Sequence, residues 1–211
     1  MGQPLHVAVL AAAAWAVGAL AFAWLRTRGF GGRVLFARAA GDPAAGVRYS
    51  FTTAMLPQAK ESVMMHLPSY AAGMIFHLGT FVAFALLAVT LARIQLPLPV
   101  AWIARVVTLA GSFGGLALLA KRALTPHLRG LSSPDDFVAN LLTTTFAALA
   151  GAASLCPPIE TPWLVVAAVL LVYVPIGKIR HCFFFFSSRA YLGAFFGYRG
   201  TFPSPGWGER R

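Results

Sequence analysis

The sequence predicts an all-α membrane protein: a bundle of five transmembrane helices with its N-terminus outside and its C-terminus in the cytoplasm. Of its 211 residues, 58% are hydrophobic and 11% are charged, whereas soluble globular domains carry about 25% charged residues. The mean hydropathy is +0.72. The apolar residues also form five long blocks, each close to the roughly 20 residues that a spanning helix needs. We therefore predict one polytopic helical domain.

Five apolar runs define the predicted spans, and turn residues separate them. The first run is too long for a signal-peptide core, and its basic residues follow it rather than precede it. Residues 132–136 (Ser-Ser-Pro-Asp-Asp) supply the hydroxyls, proline and acids that begin a helix. The pair Pro157-Pro158 ends the fourth run. The runs cover about Leu5–Leu25, Pro68–Leu91, Val100–Ala120, Phe137–Leu155 and Trp163–Cys182.

The basic residues predict the orientation of the bundle. With five crossings, fifteen Lys and Arg residues fall on one side and only Arg93 and Arg105 on the other. Loops rich in Lys and Arg stay in the cytoplasm, which places the fifteen there. The formal net charge of +11 is then a topology signal, and we predict a lipid bilayer rather than nucleic acid as its partner.

The two cysteines exclude several metal sites. Cys156 and Cys182 fall near opposite sides of the predicted membrane, so we predict no disulfide between them. The chain has no CxxC sequence, and it therefore supplies no iron–sulfur site, no zinc site and no c-type haem attachment of its own.

Two regions lie outside the spans. Residues 26–61 form a polar, turn-rich loop, with an interfacial helix predicted near Thr52–Met65. The predicted transmembrane domain covers residues 1–182, and residues 183–211 form a cytoplasmic or interfacial tail. Aromatic and arginine residues alternate in the tail, which is typical of a membrane–water interface. The tail is therefore either an interfacial anchor or a docking surface for a cytoplasmic partner, and from Phe202 onward we predict an extended chain.

Two histidines are candidate metal ligands. His77 lies within the second predicted span, roughly two and a half turns from its cytoplasmic end, and His181 lies near the cytoplasmic end of the fifth. An ionisable residue within a span is costly and indicates a functional site. Two imidazoles on different helices at similar depth could bind the two faces of one haem b. Hydrogen bonding between helices is the structural alternative.

Glycines and basic residues near these histidines have two interpretations each. Gly73 and Gly79 beside His77, and Gly177 before His181, could admit a flat macrocycle or could serve helix packing. The basic residues could contact haem propionates or could be topology signals alone. The possible propionate contacts are Lys121, Arg122, Lys178 and Arg180.

His66 precedes His77 by eleven residues, which on one uninterrupted helix would put both on nearly the same face, about 16 Å apart. Pro68 interrupts that segment, and Lys60 and Glu61 lie close before it. His66 therefore has two interpretations. It is a histidine at the membrane surface or in a quinone site, or it is a ligand of a second haem.

Three short motifs resemble one known family. They are residues 76–79 (FHLG), residues 118–126 (LLAKRALTP) followed by Asp135-Asp136, and residues 174–181 (VPIGKIRH). In this order and spacing the chain resembles the gamma subunit of respiratory nitrate reductase. It is more similar still to the single-domain relatives of that subunit in sulfite-reduction-associated and heterodisulfide-reductase-like membrane complexes. The resemblance runs from the second predicted span to the fifth.

This resemblance implies a cytochrome b subunit in the inner membrane of a prokaryote. It implies that His77 and His181 are the axial ligands of haem b, and that electrons pass between the (mena)quinone pool and a cytoplasmic iron–sulfur subunit. The chain departs from the family at Leu87 and Trp163, where the nitrate reductase form has further histidines. We therefore expect one haem, with a second possible only if His66 contributes.

Two other functions compete with this prediction. A haem-free structural anchor of a redox complex would use His77 and His181 for hydrogen bonds between helices. A small transporter is the third, but the predicted spans contain no central carboxylates. In the favoured interpretation the chain is not a complete enzyme; it is the quinol-oxidising or quinone-reducing subunit of a larger oxidoreductase.

Overall fold

The computed structural model describes residues 2–31 and 35–203, and all regular secondary structure within those ranges is helical. This confirms the predicted all-α class. The α-helices are α1 (Gly2–Arg28), α2 (Pro43–Phe51), α3 (Glu61–Met64), α4 (Leu67–Leu91), α5 (Leu98–Leu124), α6 (Pro126–Gly130), α7 (Pro134–Ala153), α8 (Glu160–Tyr173) and α9 (His181–Tyr198). Short 3-10 turns occupy Thr53–Met55, Pro57–Ala59, Pro157–Ile159 and Lys178–Arg180.

Within the described residues, four helices are long and apolar enough to cross a membrane: α1, α4, α5 and α7. Helix α8 has 14 residues, which is short for a crossing on its own. A fifth candidate span is broken in two. Its first part is α8 with the 3-10 turn before it, and its second part, after the break, contains α9. The chain therefore has the helices of a multi-pass membrane protein, whereas its orientation stays a prediction.

The described chain divides into two compact units. Unit 1 comprises the described residues of 1–21 and 68–180, and unit 2 comprises those of 22–67 and 181–211. Most of α1, all of α4 except Leu67, and all of α5, α7 and α8 belong to unit 1. Helices α2 and α9 belong to unit 2, although more than a hundred residues separate them in the chain. The predicted division into residues 1–182 and 183–211 stays a prediction.

The core of unit 1 is built on Phe146 of α7, which is completely buried. Its ring lies 4.8 Å from the ring of Phe84 on α4 and 6.2 Å from that of Trp163 on α8. Aromatic pairs at these distances stabilise a core beyond the area that they bury. Residues of four helices, and the residue that follows α8, complete the cluster: Val9, Ala83, Leu87, Ala147, Ala150, Leu164, Ala167, Leu170 and Val174.

Helices α4 and α5 pack through glycines. A Cβ atom at Gly79 would lie 2.6 Å from the Cα atom of Gly111, closer than real Cβ contacts allow. Small residues permit this approach of two helix backbones in a membrane. Gly79 therefore serves helix packing, and the alternative that it admits a macrocycle is wrong. Gly73 differs, since a Cβ atom there would have nothing within 4 Å.

The start of α7 confirms the helix start that residues 132–136 predict. Ser133 and Asp136 form a capping box, in which the Asp136 carboxylate accepts hydrogen bonds from the backbone N–H and the hydroxyl of Ser133, both at 2.9 Å. Pro134 occupies the first turn, where its missing N–H costs nothing. Both acids lie in that first turn, near the positive end of the helix dipole.

The fifth predicted span is broken, contrary to the expectation of one helix from Trp163 to Cys182. Pro175 has no N–H and cannot continue the helical hydrogen bonds, and α8 ends two residues before it. The indole of Trp15 on α1 donates a hydrogen bond to the carbonyl of Val172 at 3.2 Å, within this last turn. Gly177 makes room for the ring of Tyr173, which a side chain at 177 would meet.

Helix α2 lies earlier than the interfacial helix that the sequence predicted near Thr52–Met65. Asp42 caps its first turn, accepting hydrogen bonds from the N–H groups of Ala44 and Ala45 at 2.8 and 3.1 Å. Pro43 follows at the first helical position, which is a favoured start. The predicted segment instead contains two 3-10 turns and the four-residue α3.

Unit 2 is held together by a close contact between α2 and α9. Side chains added at Gly46, Gly193 or Gly197 would collide with backbone atoms of the opposite helix. The hydroxyl of Ser50, on α2, donates a hydrogen bond to the carbonyl of Arg189 on α9 at 3.0 Å. Two segments 139 residues apart in sequence thus form one body.

Candidate functional site

His77 lies ten residues into α4, about 15 Å from the start of that helix. Its Nδ1 atom lies 2.6 Å from the carbonyl oxygen of Gly73, one turn earlier. Since a carbonyl oxygen can only accept, Nδ1 carries the proton. In a neutral imidazole the Nε2 atom then keeps its lone pair, and this is the form of histidine that binds a metal.

The surroundings of His77 leave its ring accessible. The side chain is exposed on the described chain, and the open space beside Gly73 adjoins it on the same side of the helix. The rings of Phe76 and Phe81 lie 6.0 and 6.4 Å from the imidazole. An exposed imidazole within an apolar span would face lipid unless a cofactor or another chain covers it, and a ring nitrogen left without a hydrogen-bond partner in hydrocarbon is costly.

His181 is the first residue of α9 and is exposed. It follows the break after α8, so the expectation that it closes the fifth helix is wrong, because Pro175 has already ended that helix. His77 belongs to unit 1 and His181 to unit 2. Coordination of one haem by both therefore stays a prediction.

His66 lies in a turn immediately before α4 and is exposed. Its backbone N–H donates to the carbonyl of Val63 at 3.0 Å. Since α4 begins at Leu67, His66 and His77 are not on one continuous helix. A role of His66 in a second haem or a quinone site stays a prediction.

One end of unit 1 is closed by a polar network around Asp136. The Lys178 ammonium lies 2.6 Å from one carboxylate oxygen, and the Arg122 guanidinium lies 3.6 Å from the other. The backbone N–H of Lys178 also donates to the carboxylate of Asp135 at 3.0 Å. We call this the polar end: the starts of α4 and α7 and the ends of α5 and α8 lie here.

The other predicted propionate contacts are less constrained. Lys121 donates a hydrogen bond to the hydroxyl of Ser69 at 2.5 Å, which links the end of α5 to the start of α4. Arg180 is exposed, one residue before His181. Arg122 and Lys178 already neutralise Asp136, so Lys121 and Arg180 are the better candidates for an anionic cofactor group.

The two places where the resembling family has further histidines are filled by the core. Leu87 and Trp163 are 4% and 3% exposed and both belong to the cluster around Phe146. The indole Nε1 of Trp163 is buried and finds no hydrogen-bond partner among the described residues. The core of unit 1 therefore holds buried apolar side chains at both positions.

The sequence reasoning missed one buried cation. Arg105 of α5 is 8% exposed, and its guanidinium donates to the hydroxyl of Ser154 at 2.9 Å and to the carbonyl of Ser154 at 2.7 Å. It also lies over the ring of Trp102, 4.1 Å from its centroid. A cation at the end of α7 satisfies exposed carbonyls and the helix dipole. The sequence does contain a signal for this residue, because Arg105 is a charged residue inside an apolar run.

Within the described ranges, no group of three or more His, Cys, Asp or Glu side chains is placed to hold a metal ion. Haem iron needs only two protein ligands, because the porphyrin supplies the other four. Comparisons of the chain with protein-family models, curated proteins and solved structures found no match. The resemblance to the nitrate reductase gamma subunit therefore stays a prediction that depends on the three motifs.

Proposed function

We propose that the chain is a membrane cytochrome b subunit that moves electrons between a quinone and a soluble iron–sulfur partner. His77 is one axial ligand of a single haem b, and His181 is the other. The proposed location is the inner membrane of a prokaryote, with the iron–sulfur partner at the polar end. The chain acts as one subunit of a larger oxidoreductase.

The observation that carries the proposal is the hydrogen bond from His77 Nδ1 to the Gly73 carbonyl. Histidines that bind metals nearly always donate their other ring N–H to a carbonyl, a carboxylate or water, which fixes the tautomer and the orientation of the ring. Here the 2.6 Å contact between Nδ1 and the Gly73 carbonyl fixes both the tautomer and the orientation of the His77 ring. An imidazole that only stabilised helix packing would direct a polar atom at a neighbouring helix, whereas this one is bonded within its own helix.

The space around His77 supports the same assignment. The open side of Gly73 leaves room for a planar group against the helix backbone, which a larger side chain would fill. The phenylalanine rings near the imidazole give apolar surface for the porphyrin edge. Leu87 and Trp163 in the core favour one haem over two.

Haem b, when bound, supplies an iron that accepts and releases one electron at a time. By accepting the hydrogen bond from Nδ1, the Gly73 carbonyl would make Nε2 of His77 a stronger donor to the iron of a bound haem. The apolar helices exclude water from this depth. At the polar end, the cations of Lys121 and Arg180 are available to hold carboxylates.

A pyridine haemochrome assay with protein quantitation tests the proposal. We expect haem b at one per chain, and His77→Ala and His181→Ala should each remove the redox-active absorption band. His127→Ala is the matched control, because His127 is exposed on the short helix α6. Each variant is first shown to elute as the unaltered protein does on size exclusion.

The outcomes separate the proposal from its alternative. Purified protein without a Soret band would identify a haem-free anchor. Full haem content in both histidine variants would mean that other ligands hold the iron. Two haems per chain, reduced to one by His66→Ala, would assign His66 to a second site.

A further inference from the structure

A pair of polar side chains lies within α7, one of the candidate spans. Asn140 is the seventh residue of this helix, about 9 Å from its start. The hydroxyl of Thr144, one turn later, donates a hydrogen bond to Asn140 Oδ1 at 3.0 Å. Thr144 is buried and Asn140 is half-buried. We call these two residues the α7 pair.

The α7 pair satisfies only one half of the Asn140 amide. Because Oδ1 is turned to Thr144, the Nδ2 group lies on the opposite side of the amide, and its two N–H donors have no acceptor among the described residues. A polar side chain that only joined helices would direct this group at a neighbouring helix. An amide donor left unpaired in hydrocarbon is costly. Asn140 therefore favours an acceptor that arrives from the bilayer.

An aromatic ring of α4 adjoins the α7 pair. A Cβ atom added at Gly115 of α5 would meet both the Thr144 hydroxyl and the edge of the Phe76 ring. Three helices of unit 1 thus meet at this glycine, and the ring lies beside the hydroxyl that orients Asn140. The ring of Phe76 also lies 6.0 Å from the imidazole of His77. Phe76 therefore adjoins both the α7 pair and the proposed haem ligand.

The remaining neighbours of Asn140 are apolar. Val138 and Leu141, on either side of it in α7, are exposed. Exposed side chains of a span face the acyl chains, so a lipid-soluble molecule can reach Asn140 without crossing water. Binding sites for small molecules combine apolar and aromatic surfaces with a few polar groups that fix the orientation of the ligand. The surroundings of the α7 pair have this composition.

We propose that the α7 pair binds a carbonyl oxygen of a quinone head group whose ring lies beside Phe76. Asn140 Nδ2 donates the hydrogen bond, and Thr144 is a positioning residue that holds the amide in this orientation. A quinone fits better than a phospholipid ester, because its acceptor is part of a planar ring that can pack against an aromatic side chain. This inference names the quinone site of the proposed function and rests on it.

Photolabelling of the full chain in phosphatidylcholine nanodiscs tests the proposal. The probe is a naphthoquinone that carries an aryl azide, and the adducts are located by mass spectrometry. We expect adducts within residues 137–145 that excess menadione prevents. Haem is quantified in the same preparation. A preparation without haem would contradict the proposed function, whereas the position of the adducts decides the quinone site.

Variants of α7 assign the binding to Asn140. Asn140→Leu keeps much of the side-chain volume but removes both donors, so we expect menadione to compete about two- to tenfold more weakly, the range for one neutral hydrogen bond. Thr144→Val should weaken competition less, because the donor remains but is no longer held. Thr143→Val is the matched control, since its buried hydroxyl donates to the carbonyl of Ala139 within α7 at 2.7 Å. The control should bind menadione normally, and haem content should be equal in all three.

Several outcomes would overturn the proposal. Adducts that menadione does not prevent would mean that the probe only partitions into lipid. Adducts that it does prevent, but that lie on other helices or near His66, would place the quinone elsewhere. Equal weakening by Thr143→Val and Asn140→Leu would assign the effect to the packing of α7. If Asn140→Leu does not fold, the adducts of the unaltered chain decide alone.

Discussion

The Lys178 ammonium lies 2.6 Å from a carboxylate oxygen of Asp136, joining the segment after α8 to the first turn of α7. The same carboxylate caps the helix through Ser133. We expect Asp136→Ala to lower the unfolding temperature in detergent, because it removes a cap contact worth about 1 kcal/mol in addition to the ion pairs. Asp136→Asn should cost less, since its oxygen can still accept from Ser133. Arg48→Gln, which breaks an exposed pair, is the control.

Arg105 and Ser154 give a second prediction for stability. Replacing Arg105 with Met keeps most of the stem volume but leaves the carbonyl of Ser154 without its donor. We expect a loss of about 1.5–3 kcal/mol, the range for hydrogen bonds to charged groups. Arg105→Lys should recover part of it, because one ammonium cannot make both contacts well. Equal unfolding temperatures for Met and Arg at this position would contradict the role of Arg105 as a helix cap.

The backbone conformation of Arg93 predicts that a substitution at this position will stabilise the protein. Arg93 lies two residues after the end of α4 with a φ of +56°, a left-handed conformation that glycine adopts more readily than any other residue. Its neighbour Ile94 donates to the carbonyl of Val89, which is the hydrogen bond of a glycine-type helix end. We expect Arg93→Gly to raise stability by about 0.5–1 kcal/mol. Arg93→Ala removes the charge but keeps the strained φ, so it should not raise stability.

Gly73 and Gly79, six residues apart on α4, should respond in opposite ways. Gly79→Ala should destabilise the protein by about 1–3 kcal/mol, because its Cβ meets the backbone of Gly111. Gly73→Ala should be neutral or slightly stabilising, since alanine favours helix and the space is open. Gly73→Leu should keep the fold yet lower haem content. A haem content unchanged by Gly73→Leu would show that no planar group rests there.

The features that sequence reasoning predicted are those whose causes are local. The cap of α7 needs only Ser133, Pro134 and Asp136, which are neighbours in the chain. The candidate spans follow from composition over about 20 residues. Hydropathy does not indicate a break, however, so it predicts one helix from Trp163 to Cys182 although Pro175 interrupts it.

Other features depend on contacts between distant segments. Gly79 and Gly177 differ in role only because one meets Gly111 and the other meets the ring of Tyr173. The start of α2 is visible in the sequence as Asp42-Pro43, but the helix has only nine residues, which is shorter than the window over which an apolar periodicity identifies a helix. At the candidate site, the sequence could predict that His77 lies within a span. Its hydrogen bond to the Gly73 carbonyl is seen only in the structure of α4.

The glycine contact between α2 and α9 bears on how the protein is made. Ribosomes add about 5–20 residues per second, so the 139 residues that separate Ser50 from Arg189 take about 7–28 s to synthesise. During that interval α2 has left the ribosome without the helix that covers Gly46. A nascent chain of this kind needs either the lipid surface or a chaperone to shield that face until the last helix emerges.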